Sequence, residues 1–183
     1  GGGFSGMMHA YGLDWSINKE WKAGMRFETG QLTDPIAGTI RRTAISPTLG
    51  YTQEGLNWAG RYEYRHDETT NVGLVNPGAS KRDTWLMNNL LTVKVDKDWR
   101  MIARLNGSYS TSNQGDFYHG NYLEAVLGFA YRPVANDKLN MLFKYTYFYD
   151  LPSPGQRVGV GGVGDYSQQS HVLSVDAIYD LNQ

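Results

Sequence analysis

Two stretches of this chain, residues 85–95 and 99–110, separate into an apolar and a polar set when every second position is taken. In the first stretch, Trp85, Met87 and Leu91 alternate with residues such as Asn88 and Lys94. Successive side chains of a β-strand point to opposite faces, so the alternation predicts strands with one apolar and one charged face. Both stretches exceed the usual soluble strand of about 5–6 residues. Long alternating strands with aromatic ends are typical of transmembrane β-barrels.

The same alternation recurs along the whole chain and predicts nine strands. They start near Met7, Trp21, Arg42, Leu56, Trp85, Trp99, Tyr122, Leu139 and Leu173. The sequence therefore predicts an all-β fold, a transmembrane antiparallel up-and-down β-barrel, with residues 1–183 as a single barrel domain or barrel segment. Proline cannot donate a hydrogen bond to a strand ladder, so Pro47 predicts a bulge or a local break in the third strand.

A soluble antiparallel sheet with one face in water is the alternative explanation of this alternation. Three features favour the membrane. Every polar set contains ionisable groups, whereas the apolar sets contain only the marginal His9. Aromatic residues cluster at strand ends, and short connections alternate with long ones. We therefore expect the apolar sets to face lipid rather than a protein core.

Composition narrows the classes of function. Hydrophobic residues make up 40% of the chain and charged residues 19%, and no apolar run is long enough for a spanning helix. The absence of cysteine excludes disulfides, thiol chemistry and cysteine-bound zinc. A net charge of −1 gives no support to a nucleic-acid-binding surface.

Loop lengths predict the orientation of the barrel. Short connections are expected after the first, third, fifth and seventh strands, at 18–20, 53–55, 96–98 and 136–138, and long ones after the others, the longest at 67–83 and 151–168. Outer-membrane barrels keep short turns on the periplasmic side. Tyr and Trp suit both membrane interfaces, so two aromatic belts are predicted. The periplasmic belt comprises Trp15, Trp21, Tyr51, Trp58, Trp99, Tyr131 and Tyr179, and the outer belt comprises Tyr64, Trp85, Tyr109, Tyr147 and Tyr149.

The predicted number of strands is odd, whereas bacterial single-chain barrels have an even number. We therefore expect the chain to be a piece of a longer barrel. A strand overlooked within Gly30–Ile40 or Gln156–Gly164 would also restore an even count, and the pattern leaves both explanations open.

The charged set is the most informative candidate for function. Unpaired charges are costly in a dry interior but cheap in a water-filled lumen or against a polar partner. Salt bridges between neighbouring strands are the purely structural alternative. The residues predicted to line the lumen are Arg26, Glu28, Arg42, Arg61, Glu63, Arg65, Lys94, Arg104, Glu124, Arg132, Lys144 and Asp176.

The sequence motifs that could indicate catalysis give only weak support for it. The run His66-Asp67-Glu68 has residue types that can activate water, as in surface proteases of the outer membrane, but acidic loop starts are common on barrels. Ser170 and His171 are adjacent in a predicted strand and would point to opposite faces, so they do not form a nucleophile–base pair. Neither His9 nor His119 has metal-ligand neighbours. We expect no enzyme activity, cofactor or metal, although an Asp–His or Ser–His hydrogen bond near the outer belt would favour an enzyme.

The chain resembles bacterial outer-membrane β-barrels of the porin-like kind. The resemblance rests on the hairpin pattern, the belts, and the segments Tyr131-Arg132-Pro133 and 144–147 on either side of a short turn. It implies an outer-membrane location and a polar-lined channel for passive transport. A scaffold barrel that encloses or anchors subunits of an envelope complex is the alternative, and an outer-membrane hydrolase ranks last. The partners it implies are membrane lipid, with lipopolysaccharide as a candidate, and either further copies of the chain or envelope-complex subunits, without nucleic acid.

Overall fold

The computed structural model describes residues 5–34, 38–71, 78–113, 121–136, 138–150 and 168–180. These residues form nine β-strands and no helix. The strands are β1 (Ser5–Ser16), β2 (Trp21–Asp34), β3 (Gly38–Gln53), β4 (Leu56–Asn71), β5 (Gly78–Lys94), β6 (Trp99–Ser112), β7 (Tyr122–Tyr131), β8 (Leu139–Asp150) and β9 (Gln168–Tyr179).

All nine strands belong to one sheet in which spatial order follows chain order. Every neighbouring pair is antiparallel, so the predicted up-and-down meander is confirmed. Seven of the eight pairs are continuous from end to end, the β3–β4 pair is interrupted once, and no pair has a residue inserted on either side. Among the described strands, β1 and β9 are the edges of the sheet.

Pro47 interrupts the pairing of neighbouring strands, as the sequence predicts. It pairs with Met25 of β2, but the β3–β4 ladder passes directly from Ile45 to Thr48. Because the residues before and after this gap keep the same register with β4, the interruption is a local break and not a bulge.

At the ends away from the turns 18–20 and 53–55, several strands are longer than the alternation predicts. β4 continues to Asn71 and β5 starts at Gly78, so most of the long loop predicted at 67–83 is strand. Likewise β2 reaches Asp34 and β3 starts at Gly38, so the prediction of a long connection there is wrong, and the described residues of Gly30–Ile40 belong to these two strands. Residues 151–167, including Gln156–Gly164, and residue 137 lie outside the described residues.

Two of the short turns are stabilised by the same kind of hydrogen bond, between a side-chain oxygen and backbone N–H groups. The side-chain oxygen of Asn18 accepts hydrogen bonds from the backbone N–H groups of Glu20 and Trp21, both at 2.8 Å. Asp96 accepts from Asp98 and Trp99 in the same way, at 2.7 and 2.8 Å. Asn and Asp favour such turns because their side chains satisfy backbone donors two and three residues ahead.

The sheet has no second layer in the part of the chain that the structure describes. Ala44 is the buried hydrophobic residue of these ranges, and the largest fully buried side chain among them is Asn121. A soluble sheet buries at least one face under another layer of helix or strand. Here both faces remain open, and the environment outside the chain must therefore suit an apolar surface on one side. No helix in these ranges is long and apolar enough to cross a membrane.

Candidate functional site

The strand register places the predicted lumen residues on one face of the sheet, which we call the charged face. Asp14 on β1 aligns in turn with Gly24, Thr48, Arg61 and Asn88, and every second residue along each strand extends the same face. All the predicted lumen residues occupy this face within strands except Arg132, which follows β7 directly. The structure thus brings these positions together on one surface; that this surface lines a lumen stays a prediction.

Part of the charge on this face is neutralised. Arg42 binds Asp67 through two contacts, Nε–Oδ1 at 2.8 Å and Nη2–Oδ2 at 3.2 Å, between directly opposed residues of β3 and β4. Arg65 binds Glu63 at 2.9 Å along its own strand rather than across strands. Such bidentate or charge-assisted contacts hold both partners in place.

Other cations on the same face remain unpaired. Within the described ranges, the ion pairs of the charged face are those of Arg42 and Arg65. Arg26, Arg61, Arg104 and Lys144 make none, and Lys94 lies directly opposite Arg100. Asp14, Glu28, Glu124 and Asp176 of the same face also make no ion pair within these ranges, so the face carries unpaired charge of both signs.

Two of these unpaired arginines share a hollow. A cavity of about 410 Å³ opens on the charged face of β1–β4. Arg26 and Arg61 line it together with Asp14, and small residues such as Gly12 and Ser46 form part of its wall.

The charged face also has an apolar part towards β9. Four side chains on it are more than a third exposed: Leu90 at 40%, Ile102 at 36%, Val172 at 53% and Ile178 at 63%. The face is therefore mostly polar and charged over β2–β4, where Leu32 is exposed at 40%, and mixed over β5–β9.

The opposite, apolar face has aromatic clusters near both strand ends. At the short-turn end, the ring centroids of Trp21 and Tyr51 lie 4.8 Å apart, and those of Trp99 and Tyr131 lie 4.6 Å apart. Trp58 joins the first cluster at 6.3 Å from Trp21. Tilted and edge-on ring pairs at these distances are favourable beyond their buried area.

At the other end, Trp85 lies between two tyrosines. Its ring is 5.5 Å from Tyr64 and 6.0 Å from Tyr109, and the three residues are directly aligned on β4, β5 and β6. The remaining belt residues lie towards the edges of the sheet: Trp15 and Tyr179 are about half exposed, and Tyr147 packs on His171 at 5.0 Å.

Beyond the Tyr64–Trp85 level, the same face carries an outer charge cluster of Tyr64, His66, Glu68, Lys81 and Asp83. His66 Nδ1 donates to Asp83 Oδ1 at 2.6 Å, and Tyr64 donates to the same oxygen at 2.7 Å. Lys81 Nζ lies 3.3 Å from Glu68 Oε1, and His66 Nε2 lies 3.4 Å from that oxygen.

Sequence reasoning found His66, Asp67 and Glu68 but missed Lys81, Arg82 and Asp83 as their partners. The sequence does contain this information, because the triplets His66-Asp67-Glu68 and Lys81-Arg82-Asp83 have complementary charges when one of them is read in the reverse direction. The strand register pairs them in that order: His66 with Asp83, Asp67 with Arg82 and Glu68 with Lys81. Opposite charges directly across an antiparallel pair stabilise it, which explains why both strands continue past the apolar segment.

The His66–Asp83 contact meets the geometric criterion that would favour an enzyme, but its electrostatics oppose general-base catalysis. The hydrogen bond to Asp83 raises the pKa of His66, and Glu68 adds to this effect. The same contact with His66 lowers the pKa of Asp83, with Tyr64 contributing. With both ring nitrogens facing carboxylates, the protonated imidazole is favoured, and a protonated ring has no free lone pair for a proton from water. The arrangement is that of an ion-pair cluster.

Of the other histidines, the two that the structure describes, His9 and His171, contact neither a serine hydroxyl nor a carboxylate of the described residues. His171 Nδ1 lies 2.6 Å from the Tyr145 hydroxyl on the apolar face, whereas Ser170 is on the charged face opposite Phe148. His9 stacks on Tyr11 at 6.5 Å, and His119 lies outside the described residues. In the ranges that are described, no group of three or more His, Asp or Glu side chains is arranged to hold a metal ion.

No family model matches this sequence, and no curated protein matches it. Among solved structures, the chain is similar to the NanC porin in its rhombohedral crystal form, with 15% sequence identity and a TM-score of 0.39. The match covers 97% of this chain and 98% of that chain. A likeness at this level supports no conclusion about function.

Proposed function

We propose that this chain forms part of a β-barrel in the bacterial outer membrane and acts as a polar-lined, porin-like channel. The single observation that carries the proposal is a one-layer sheet with a continuous apolar face, an opposite charged face and no covering layer over the described residues. Lipid can cover an apolar sheet face without a protein core, and a closed barrel is the form in which strands cross a bilayer.

The positions of the aromatic rings support a tilted, membrane-spanning sheet. Following the register from Trp21 leads across the sheet to Leu173 on β9, six residues before Tyr179. If Trp21 and Tyr179 share one membrane depth, this offset over seven strand steps tilts the strands by about 30°, for a rise of about 3.4 Å per residue and a strand spacing of about 4.8 Å. Membrane barrels tilt by roughly 35–45°.

The distance between the belts agrees with the same geometry. Trp99 and Tyr109 are ten residues apart on β6, and Trp58 and Tyr64 are six apart on β4. With the same rise and tilt, these intervals span about 29 Å and about 17 Å along the membrane normal. They bracket the apolar band of about 25 Å that is typical of outer-membrane barrels.

The edge strands indicate what must surround this sheet in a membrane. β1 and β9 have no outer neighbour among the described residues. An unpaired strand edge is not tolerated in the hydrocarbon region. The proposal therefore includes further strands that pair with both edges, from the same protein or from another copy, together with lipid on the apolar face and lipopolysaccharide at its outer end.

The experiment that tests the channel is conductance of the purified full-length protein in planar lipid bilayers. A water-filled lumen predicts discrete conductance steps that scale with salt concentration. The matched control is the same preparation after heat unfolding, which should give no steps. A folded, membrane-inserted protein without conductance would contradict the channel.

The apolar part of the charged face favours a second candidate, a scaffold barrel filled by a partner. Leu90, Ile102 and Val172 would face water in an open pore, and burying them against another chain would be favourable. Crosslinking from this region in native membranes separates the two candidates. A specific protein adduct formed there, but not from a lipid-facing position such as Leu127, supports the scaffold. Absence of such an adduct together with conductance supports the channel.

A further inference from the structure

The hollow on the charged face brings together two arginines that have no carboxylate of the described residues within ion-pair distance. Arg26 and Arg61 both line it, and both are exposed. In the described part of the chain neither makes an ion pair, whereas Arg42 and Arg65 each contact a carboxylate, at 2.8 and 2.9 Å. Two positive charges on one wall are thus available for a ligand.

The strand register sets the spacing of these two charges. Arg26 pairs with Ser46, and Thr48 pairs with Arg61, so the arginines are two strands apart and offset by two residues. Their Cα atoms are then about 12 Å apart, for a strand spacing of about 4.8 Å and a rise of about 3.4 Å. Two extended arginine side chains at this separation can both reach a small molecule between them.

The wall between the arginines leaves room for that molecule. The cavity measures about 410 Å³, and Ser46 and Thr48 contribute short hydroxyl side chains to it. On the other side of Arg26, where Gly12 of β1 lies directly opposite it, an added Cβ atom would meet no atom nearer than 3.9 Å. Asp14 also lines the hollow, so its net charge is +1 rather than +2, which limits how much negative charge it can hold.

We propose that this hollow binds a small oxyanion, a carboxylate or a phosphate, between Arg26 and Arg61. Guanidinium groups match the geometry of these anions with two parallel hydrogen bonds. Ser46 and Thr48 provide further donors beside the anion. The inference rests on the proposed function in one respect, because the hollow is reached by solutes only if the charged face lines a wet lumen.

Binding is measured separately from conductance. The probe is inorganic phosphate, followed by ³¹P line broadening on titration with the folded protein in octyl glucoside, a detergent without phosphate. Arg26→Gln and Arg61→Gln should each weaken binding roughly tenfold, as expected for loss of a charged hydrogen-bond donor. If both arginines hold one anion, the factor by which the double variant weakens phosphate binding should be smaller than the product of the two single-variant factors.

Arg41→Gln is the matched control, since Arg41 is an exposed arginine on the opposite face of β3 and its loss changes net charge equally. It should leave phosphate binding unchanged. Gly12→Leu keeps both charges but fills the hollow, and should reduce binding as strongly as loss of an arginine. Heat-dependent electrophoretic mobility verifies that each variant is folded.

The outcomes separate the site from the channel. Phosphate binding that is equal in the wild type, Arg61→Gln and Arg41→Gln overturns the proposal, as does conductance without any phosphate binding. Phosphate binding that depends on both arginines supports the site, and in the absence of conductance it would refute the channel alone.

Discussion

Leu127→Arg gives the most quantitative test of which face meets lipid. Leu127 is an exposed residue of the apolar face on β7, four residues from Tyr131 in the short-turn belt. With a rise of about 3.4 Å and a tilt of about 30°, it lies about 12 Å above that belt, half of an apolar band of about 25 Å. A charge near the midplane costs about 2–4 kcal/mol in folding free energy.

Two matched variants make the prediction specific. Leu123→Arg is on the same face but eight residues from Tyr131, next to the outer boundary, and should cost about 0–1 kcal/mol. Val126→Arg adjoins Leu127 on the charged face and should cost less than about 1 kcal/mol, because its side chain enters a wet space in which repulsion from Arg104, directly opposite on β6, is weak.

The assay is reversible urea unfolding in liposomes, followed by tryptophan fluorescence. The expected order of destabilisation is Leu127→Arg first, with the other two variants close to the wild type. Equal costs for Leu127→Arg and Val126→Arg, or a larger cost at Val126, would refute the assignment of the faces.

Three further predictions concern smaller features. The raised pKa of His66 stabilises the folded protein fully below its ordinary value of 6.5, and this contribution is lost as the pH rises through the raised value. The lowered pKa of Asp83 stabilises the folded protein above 3.8, and this contribution is lost as the pH falls through the lowered value. His66→Gln should selectively remove the loss of stability that begins as the pH rises above 6.5 in a thermal unfolding series, and a pH profile like that of the wild type would contradict this. Tyr62 donates to Asn89 at 2.8 Å on the apolar face, so Tyr62→Phe should cost about 1–3 kcal/mol in liposome unfolding by leaving the amide unsatisfied; a neutral effect would place Asn89 in water. Asp96→Ala removes the acceptor for two backbone N–H groups of a turn and should cost about 1 kcal/mol in the same assay, whereas Lys97→Ala in that turn should be neutral.

The strands themselves could be predicted because one face is apolar and the other is not. From Trp85 to Lys94 the alternation is visible except at Leu86 and at the inverted pair Asn89-Leu90, and the sheet follows it. At 66–71 and 78–84 both faces are polar, so the alternation disappears although the strands continue. There the two segments are stabilised by their complementary charges, and this complementarity becomes apparent only when the hairpin register is known.

The candidate site could be predicted only as a set of residues. The alternation assigns Arg26, Arg42, Arg61 and Arg65 to one face, but it does not distinguish them. The distinction depends on the register, which brings Asp67 opposite Arg42 and leaves small residues between Arg26 and Arg61. Glu63 contacts Arg65 two positions along the same strand. The spacing in the sequence does not predict which arginine Glu63 binds, because that depends on the side-chain geometry.

The central claim, that the apolar face meets lipid and the charged face meets water, is tested most directly by nitroxide scanning along β6. The chain has no native cysteine, so single cysteines at positions 101–106 can be labelled without background. In liposomes, Met101, Ala103 and Leu105 should be accessible to oxygen, and Ile102, Arg104 and Asn106 to a water-soluble nickel reagent, with a period of two residues. Oxygen accessibility that peaks at the even positions, or no alternation at all, would contradict the account.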